Sequence, residues 1–298
     1  PAALAMAVEK AKETDAELVM ASDPDADRVG AAVKNNEGEW VLLNGNQTAL
    51  MFVYYLITRW KELGKINGKE YIVKTIVTTE TIKTIAERNG VEMYDVYTGF
   101  KWIANVMREN EGKKNYIGGG EESYGFLCED FVRDKDAVSA CVILAEIAAW
   151  AKDQGLSLYQ LLQKIYVEYG FSKEKGISVV KKGKSGAEEI EAMMKKFREN
   201  PLTEIAGSKV TYFYDYSTLK GKDYAENETV TLDMPTTSNV LQYFTEDNTK
   251  VSIRPSGTEP KIKFYCEVHS KVKSIDELPE AEKAAEEKIN QIKASLGI

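Results

Sequence analysis

The sequence predicts an α/β protein in which mixed α/β domains are followed by an α+β domain with an antiparallel sheet. In the first half of the chain, short apolar runs alternate with segments of helical periodicity, a pattern typical of a mostly parallel sheet covered by helices. From about residue 170 onward, six strand-like runs are flanked by only two helical segments. Successive strands without intervening helices favour antiparallel pairing.

Length and composition indicate the number of domains and the class of protein. The 298 residues correspond to roughly two average domains, and 43% hydrophobic with 29% charged residues is typical of a globular chain that buries its cores. We place boundaries that give three blocks, residues 1–43, 44–155 and 156–298. The apolar run over residues 137–150 is interrupted by Glu146 and is shorter than the ~20 residues of a membrane span, so we expect no membrane partner.

The first block reads as about half of an α/β domain. Residues 1–14 predict a helix, residues 17–22 a buried strand, and residues 29–43 a hairpin whose turn contains Asn35 and Gly38. No earlier strands are available to pair with this block. We therefore expect the chain to begin inside a longer protein.

The second and third blocks differ in how strands and helices are arranged. The second block predicts helices over 48–63, 80–88, 101–111 and 137–152, alternating with strands over 71–79, 91–99 and 115–120. The third predicts helices over 186–199 and 276–295, and strands over 176–182, 208–217, 228–234, 239–245, 250–254 and 261–268.

Charge and cysteine content exclude several function classes. The net charge of −8 and a pI of about 5.1 argue against a nucleic-acid partner, which needs a basic face, but not against a small phosphorylated ligand. Cys128, Cys141 and Cys266 are odd in number and widely spaced, so we expect neither disulfides nor zinc, and a cytoplasmic location. The single histidine, His269, argues against a Ser-His-Asp hydrolase or a multi-His metal centre.

Three aspartates at alternate positions follow the first predicted strand. Asp23, Asp25 and Asp27 would repel one another unless a cation neutralised them, and oxygen ligands suit Mg²⁺ or Ca²⁺. Mg²⁺ fits phosphoryl chemistry, while an exposed Asp-rich turn is the alternative. An EF-hand fails because Arg28 and Lys34 stand where Gly and Glu are required. A haloacid-dehalogenase-type phosphatase is disfavoured because Asp27 takes the place of a Thr or Val.

A glycine-glutamate loop follows the predicted strand over residues 115–120. Three glycines at residues 118–120 precede Glu121, Glu122 and Ser123. Glycines let the backbone turn tightly and approach a ligand closely, and the carboxylates would accept hydrogen bonds from sugar hydroxyls. A solvated acidic turn is the alternative interpretation.

A basic glycine loop lies between the last two predicted strands. Arg254 offers a bidentate fork for a phosphate, and the N–H groups around Gly257 can form an anion-binding nest. Ser256 and Thr258 add hydroxyl donors and Lys261 a second cation. The length of the loop and its two cations favour an anion site over the alternative, a plain hairpin turn.

The order and spacing of these loops are more specific than any one of them. DPDADR, TGFKWI, GEESYG with RDKDAV after it, and RPSGTEPK together resemble the phosphoglucomutase/phosphomannomutase family over essentially all 298 residues. The resemblance implies a phosphohexomutase-type fold, with the end of the second domain in residues 1–43, the sugar-binding third domain in 44–155 and the phosphate-binding fourth domain in 156–298.

The resemblance also implies roles for individual residues. Asp23, Asp25 and Asp27 would be the Mg²⁺ ligands, and Arg28 would lie beside the active serine. The implied contacts with a phosphorylated hexose and its 1,6-bisphosphate are Lys101, Glu121, Glu122, Ser123, Arg133, Arg254, Ser256, Gly257 and Thr258.

One feature of the family has no counterpart in this chain. The nucleophilic serine of the family lies in a loop resembling T-A-S-H-N-P, and no such string occurs here. The resemblance therefore implies that N-terminal domains of the same protein supply the serine, and that this chain alone is inactive. GEESYG resembles the glucose-directed branch, while mannose and pentose phosphates remain open. A non-catalytic phosphosugar-binding module and, more distantly, a phosphatase using Asp23 are the competing hypotheses.

Overall fold

The chain folds as two units, Pro1–Gly170 and Phe171–Ile298, and each has its own sheets and core. The computed structural model describes residues 2–181, 183–257 and 259–298. The first unit is mixed α/β and the second is α+β with an antiparallel sheet, so the predicted fold class is confirmed.

The first unit begins with a three-stranded antiparallel meander in the order β1-β2-β3. The predicted hairpin is confirmed as β2 and β3, and the side chain of Asn35 accepts the backbone N–H groups of Glu37 and Glu39 in its turn. Leu4 and Ala11, at the predicted N-terminal helix, pack against the strands. The elements are a 3₁₀ turn Ala2–Leu4, α1 (Ala5–Glu13), β1 (Leu18–Ser22), β2 (Val29–Lys34) and β3 (Trp40–Leu43).

The second sheet of this unit has the order β5-β4-β6-β7, with the first three strands parallel. The short antiparallel β7 was not predicted. The predicted strand over 71–79 ends at Thr75 because the Thr78 N–H turns back to the Thr75 carbonyl at 2.9 Å. The strands are β4 (Glu70–Thr75), β5 (Glu92–Val96), β6 (Asn115–Gly120) and β7 (Phe126–Cys128), and the helices are α2 (Gly45–Glu62), α3 (Thr81–Arg88), α4 (Phe100–Asn110), α5 (Ala137–Asp153) and α6 (Leu158–Tyr169).

Helix α6 had no counterpart in the sequence analysis, and it belongs to the first unit. Its Gln163 accepts a hydrogen bond from Asn36, and its Tyr166 hydroxyl lies 3.4 Å from the Gln47 amide. The unit therefore extends to Gly170, beyond the boundary that we placed after residue 155.

The second unit is a single antiparallel sheet with two long helices. Its strands follow the order β12-β11-β10-β13-β14-β15-β8, with β9 paired to β10, and α8 packs against β15 and β8. Tyr243, Ile253 and Phe264 are fully buried in its core. The elements are β8 (Phe171–Val180), α7 (Gly183–Glu199), β9 (Glu204–Ile205), β10 (Ser208–Asp215), β11 (Lys220–Asp223), β12 (Glu228–Thr231), β13 (Leu241–Thr245), β14 (Lys250–Pro255), β15 (Lys261–Ser270), a 3₁₀ turn Ile275–Glu277 and α8 (Leu278–Leu296).

Among the described residues, no helix is both long enough and apolar enough to cross a bilayer.

Glu70 gives a stability test for the first unit. The buried Oε2 of Glu70 accepts the backbone N–H groups of Asn67, Gly68 and Lys69 at 2.7, 2.9 and 3.1 Å, and Oε1 accepts the Asn115 amide at 3.1 Å. Burial alone would raise the pKa of Glu70, but these hydrogen bonds outweigh it and lower the pKa. A carboxyl whose pKa falls on folding stabilises above its unfolded pKa, and that contribution is lost as pH falls through the folded value.

We therefore expect Glu70→Gln to lower the free energy of unfolding at pH 7 by about 1–3 kcal/mol, with a smaller difference from wild type in acid. Urea unfolding followed by tryptophan fluorescence measures this, because all four tryptophans lie in the first unit. The exposed Glu37→Gln variant is the control. Equal losses in the two variants, or a Glu70→Gln loss that does not shrink in acid, would contradict the assignment.

Candidate functional site

The acidic loop, residues 23–28, joins β1 to β2 and is held by its own backbone. The Asp23 N–H donates to the Arg28 carbonyl at 3.2 Å, and Ala26 turns the chain at φ 54°. Asp23 Oδ1 accepts the N–H groups of Asp27 and Arg28 at 3.1 and 3.2 Å. Desolvation would raise the pKa of Asp23, but these two hydrogen bonds and the nearby guanidinium outweigh it and lower the pKa. One carboxylate of the loop is thus fixed and ionised, while Asp25 is exposed.

Two cations of the chain lie against these carboxylates. Arg28 Nε is 3.6 Å from Asp23 Oδ2 and 3.4 Å from Asp27 Oδ1, and Lys135 Nζ is 2.9 Å from Asp27 Oδ2. Burial would lower the pKa of Lys135, but its hydrogen bond to Asp27 and the surrounding carboxylates outweigh it and raise the pKa. The ammonium therefore stays charged.

The donor chemistry of the loop fits a hard divalent cation. Asp27 Oδ1 is buried and accepts no hydrogen bond from any described residue, although Arg28 Nε lies 3.4 Å from it, and a carboxylate oxygen with an unused lone pair suits such a cation. The three predicted ligands do not enclose a cation in this structure, since the described residues contain no cluster of three or more His, Cys, Asp or Glu side chains arranged for metal binding.

The glutamate loop, residues 121–125, follows β6 at the carboxyl end of the parallel strands. The Glu121 side chain is buried, and its Oε1 accepts the Gly99 N–H at 2.7 Å, where Gly99 caps α4 at φ 116°. A carboxylate at a helix N-terminus is stabilised by the helix dipole. Ser123 is half-buried, and Tyr124 turns the backbone at φ 75°.

Backbone contacts join the glutamate loop to the acidic loop. The Val29 N–H donates to the Tyr124 carbonyl at 3.1 Å, and Arg28 and Gly125 form an isolated antiparallel bridge. A Cβ on Gly125 would lie 2.5 Å from Cδ of Lys135. Glycine at this position therefore lets Lys135 cross the loop and reach Asp27.

The predicted contacts Lys101 and Arg133 form no ion pair with the carboxylates of the acidic or glutamate loop among the described residues. Lys101 is exposed in the first turn of α4, with Nζ 5.0 Å from the centroid of the Trp102 ring. Arg133 is exposed and pairs with Glu111 at 3.5 Å. Lys135, two residues after Arg133, was missed by sequence reasoning, because a lysine between Asp134 and Asp136 reads as one of several solvated charges.

The basic loop of the second unit joins β14 to β15. Arg254 and Lys263 are directly opposite partners in this ladder, so their side chains share one face, and neither forms an ion pair with a described residue. Lys261 Nζ pairs with Glu259 at 2.9 Å, which lowers the pKa of Glu259. Like charges placed opposite each other destabilise a sheet unless an anion neutralises them.

One expectation about this loop changes with the structure. Only residues 256–260 separate the strands, which is an ordinary hairpin length, so length does not single the loop out. Gly257 is exposed and its own backbone is not in the left-handed region, and the anion-binding nest around it stays a prediction. Ser256 donates its N–H to the Lys261 carbonyl at 2.7 Å. Thr258 lies outside the described residues.

Comparison with known proteins identifies the family. Residues 44–169 match the family described as "Phosphoglucomutase/phosphomannomutase, alpha/beta/alpha domain III", and residues 178–285 match "Phosphoglucomutase/phosphomannomutase, C-terminal domain". Among similar proteins, a phosphoglucomutase of Staphylococcus aureus (strain MRSA252) is 38% identical over 259 residues, covering 87% of this chain and 46% of its own length. A phosphoglucomutase of Staphylococcus haemolyticus (strain JCSC1435) is 33% identical over 264 residues, with coverages of 89% and 47%.

A solved structure agrees with the fold. A phosphoglucomutase/phosphomannomutase family protein from Burkholderia thailandensis matches 100% of this chain and 50% of its own, with a TM-score of 0.61 and 19% identity. The chain spans about half the length of the curated relatives it matches. With both family domains matched in order and the motif-bearing loops of the first unit assembled around Asp27 and Lys135, the chain belongs to the phosphoglucomutase/phosphomannomutase family.

Proposed function

We propose that this chain is the sugar- and phosphate-binding part of a phosphohexomutase that interconverts hexose 1-phosphate and hexose 6-phosphate, with glucose as the preferred sugar. The observation that carries the proposal is the assembly of the acidic loop, the glutamate loop and Lys135 on one surface of the first unit. The staphylococcal relatives named phosphoglucomutase favour glucose over mannose or pentose.

In this proposal Asp23, Asp25 and Asp27 would hold Mg²⁺, and the ion would supply positive charge for a phosphoryl group. Arg28 flanks the same carboxylates and adds positive charge next to the phosphoryl oxygens. Lys135 keeps Asp27 oriented from the other side. Together these groups would position the phosphoryl group and neutralise its charge. Positioning and charge stabilisation account for most of the catalysis of phosphoryl transfer.

We assign the sugar hydroxyls to the glutamate loop and a phosphate of the substrate to the basic loop. Glu121 and Ser123 accept and donate hydrogen bonds to the sugar hydroxyls, and Arg254 with Lys263 supplies positive charge for a phosphate. Lys101 and Arg133 are exposed and serve as further substrate contacts. A phosphoserine from the N-terminal part of the longer protein donates its phosphoryl group, the sugar becomes a 1,6-bisphosphate, and the phosphoryl group from the other end returns to the serine.

The acidic loop also bears on the phosphatase hypothesis. A phosphatase with Asp23 as nucleophile is disfavoured, because one oxygen of Asp23 already accepts two backbone N–H groups that shape the loop.

The cysteines bear on the cellular location. Cys128, Cys141 and Cys266 are free, which supports the proposal of a cytoplasmic protein.

The first test is enzymatic. We expect this chain alone to give no turnover of glucose 1-phosphate with its 1,6-bisphosphate and Mg²⁺, because no group here replaces the phosphoserine as carrier. A coupled assay that detects glucose 6-phosphate measures this. Addition of the N-terminal half of a staphylococcal relative is the complementation arm. Turnover by the chain alone that survives repurification would contradict the proposal.

The second test concerns the metal. We expect weak Mg²⁺ binding that Asp25→Asn abolishes with little change in stability, because the Asp25 side chain is exposed and holds no other element. Calorimetric titration measures binding, and urea unfolding measures stability. Asp15→Asn, which removes a carboxylate that is 96% exposed elsewhere in the unit, is the matched control. A dissociation constant of the wild-type chain for Mg²⁺ in the micromolar range, or equal Mg²⁺ binding by the two variants, would rule out this assignment.

The third test concerns the phosphate. We expect Arg254→Ala to weaken phosphate binding roughly tenfold, since a charge-assisted hydrogen bond is worth about 1.5–3 kcal/mol before losses to water. Arg254→Lys should restore only part of the affinity, because an ammonium lacks the planar fork. NMR titration of the Ser256 and Gly257 amides measures this, with Lys195→Ala on the exposed face of α7 as control. If the amides do not move, or move equally in Arg254→Ala, the loop is a plain turn.

A further inference from the structure

Glu122, Thr78 and Thr75 form a closed circuit of three hydrogen bonds behind the glutamate loop. The Glu122 N–H donates to Thr78 Oγ1 at 3.1 Å, Thr78 Oγ1 and Thr75 Oγ1 are 2.8 Å apart, and Thr75 Oγ1 donates to Glu122 Oε2 at 3.2 Å. Both threonines are fully buried. The circuit begins at the backbone of Glu122 and ends at its own side chain.

The direction of each hydrogen bond in this circuit follows from the number of protons. A hydroxyl has one proton, and an ionised carboxylate only accepts. Since Thr75 donates to Glu122, the proton between the two hydroxyls must come from Thr78, which accepts the Glu122 N–H. All three bonds therefore run in one sense around the circuit, an arrangement in which hydrogen bonds strengthen one another.

Helix α2 closes on the same loop from another side. A Cβ on Gly45, the first residue of α2, would lie 2.0 Å from the Glu122 carbonyl oxygen and 2.8 Å from the Tyr124 nitrogen. The next residue, Asn46, accepts the Thr79 N–H at 3.0 Å. The helix N-terminus thus touches both the loop and the turn that carries the two threonines.

We propose that Thr75 and Thr78 are positioning residues that hold the glutamate loop through Glu122, and that Glu122 serves this anchor rather than contacting the sugar. The inference rests on the proposed function for the role of the loop, and it extends that function to the turn between β4 and α3. The two glutamates then have different roles: Glu121, of which only Oε1 is held by the Gly99 N–H, contacts the sugar together with Ser123, whereas Oε2 of Glu122 accepts the Thr75 hydroxyl.

Hydrogen–deuterium exchange of the 298-residue chain, read by NMR at the amides of residues 121–123, tests the anchor. Thr75→Val keeps the shape and removes the hydroxyl, and we expect exchange at these amides to quicken roughly tenfold, the effect of losing about one hydrogen bond. Thr75→Ser restores the hydroxyl and should restore the wild-type rate. Thr48→Val is the matched control, because the Thr48 hydroxyl is also buried but bonds within α2.

Glu122 supplies a second pair of variants in case Thr75→Val does not fold. Glu122→Ala opens the circuit from a half-buried position and should quicken exchange in the loop, whereas Glu122→Gln keeps an acceptor for Thr75 and should not. Titration with glucose 6-phosphate then gives the functional readout. We expect Glu122→Ala and Thr75→Val to weaken binding several-fold, and Glu122→Gln and Thr75→Ser to leave it within about twofold.

The outcomes separate the anchor from the proposed function. Equal exchange in Thr75→Val and Thr75→Ser, or unchanged exchange in both Thr75→Val and Glu122→Ala, overturns the anchor. Loss of glucose 6-phosphate binding in Glu122→Gln with wild-type exchange also overturns it, because the charge of Glu122 would then be read by the sugar. If the wild-type chain binds no glucose 6-phosphate, the proposed function fails at this surface, and the exchange rates still decide the anchor.

Discussion

The approach of Lys135 to Asp27 is the contact on which the loops of the first unit depend. Nζ reaches Asp27 Oδ2 at 2.9 Å by passing over Gly125, where any side chain would meet the lysine stem at 2.5 Å. The Lys135 side chain is only 17% exposed, and burying an unpaired ammonium is costly. The carboxylate therefore holds the lysine as much as the lysine holds the carboxylate, and removing either would leave a charge without its partner.

Hydrogen bonds between main-chain atoms bring the acidic loop and the glutamate loop together. The acidic loop follows β1 of one sheet and the glutamate loop follows β6 of the other, yet Val29 bonds to Tyr124 and Arg28 bridges to Gly125 through main-chain atoms. Main-chain hydrogen bonds fix a position whatever the side chain is. The carboxylates are thus placed by the backbone, and Oδ1 of Asp27 accepts no hydrogen bond from any described residue.

The periodicity of apolar residues predicted most elements of the fold. It missed β7 and α6. The alternation of strands and helices in residues 44–155 and the antiparallel strands after residue 170 both appear in the structure. Strand β7 is three residues long, too short for a period-two pattern, and α6 was hidden by the assumption of a boundary at residue 155. Motif order located the acidic and glutamate loops, but the partner of Asp27 and the anchor of Glu122 come from segments distant in sequence, and no local pattern reports such contacts.

The sugar-binding and phosphate-binding surfaces proposed here place different physical demands on the chain. Sugar hydroxyls are recognised by directional hydrogen bonds, so the loop that carries their acceptors must be held still. Glu121 is fixed by the Gly99 N–H, and the loop is anchored through Glu122 by two buried threonines. A phosphate is recognised mainly by charge, which tolerates an exposed and loosely defined geometry. Arg254 and Lys263 lie directly opposite each other in the β14–β15 ladder, although the protein carries a net charge of −8. Because like charges directly opposite each other destabilise a sheet, we expect a phosphate bound between Arg254 and Lys263 to offset part of that repulsion.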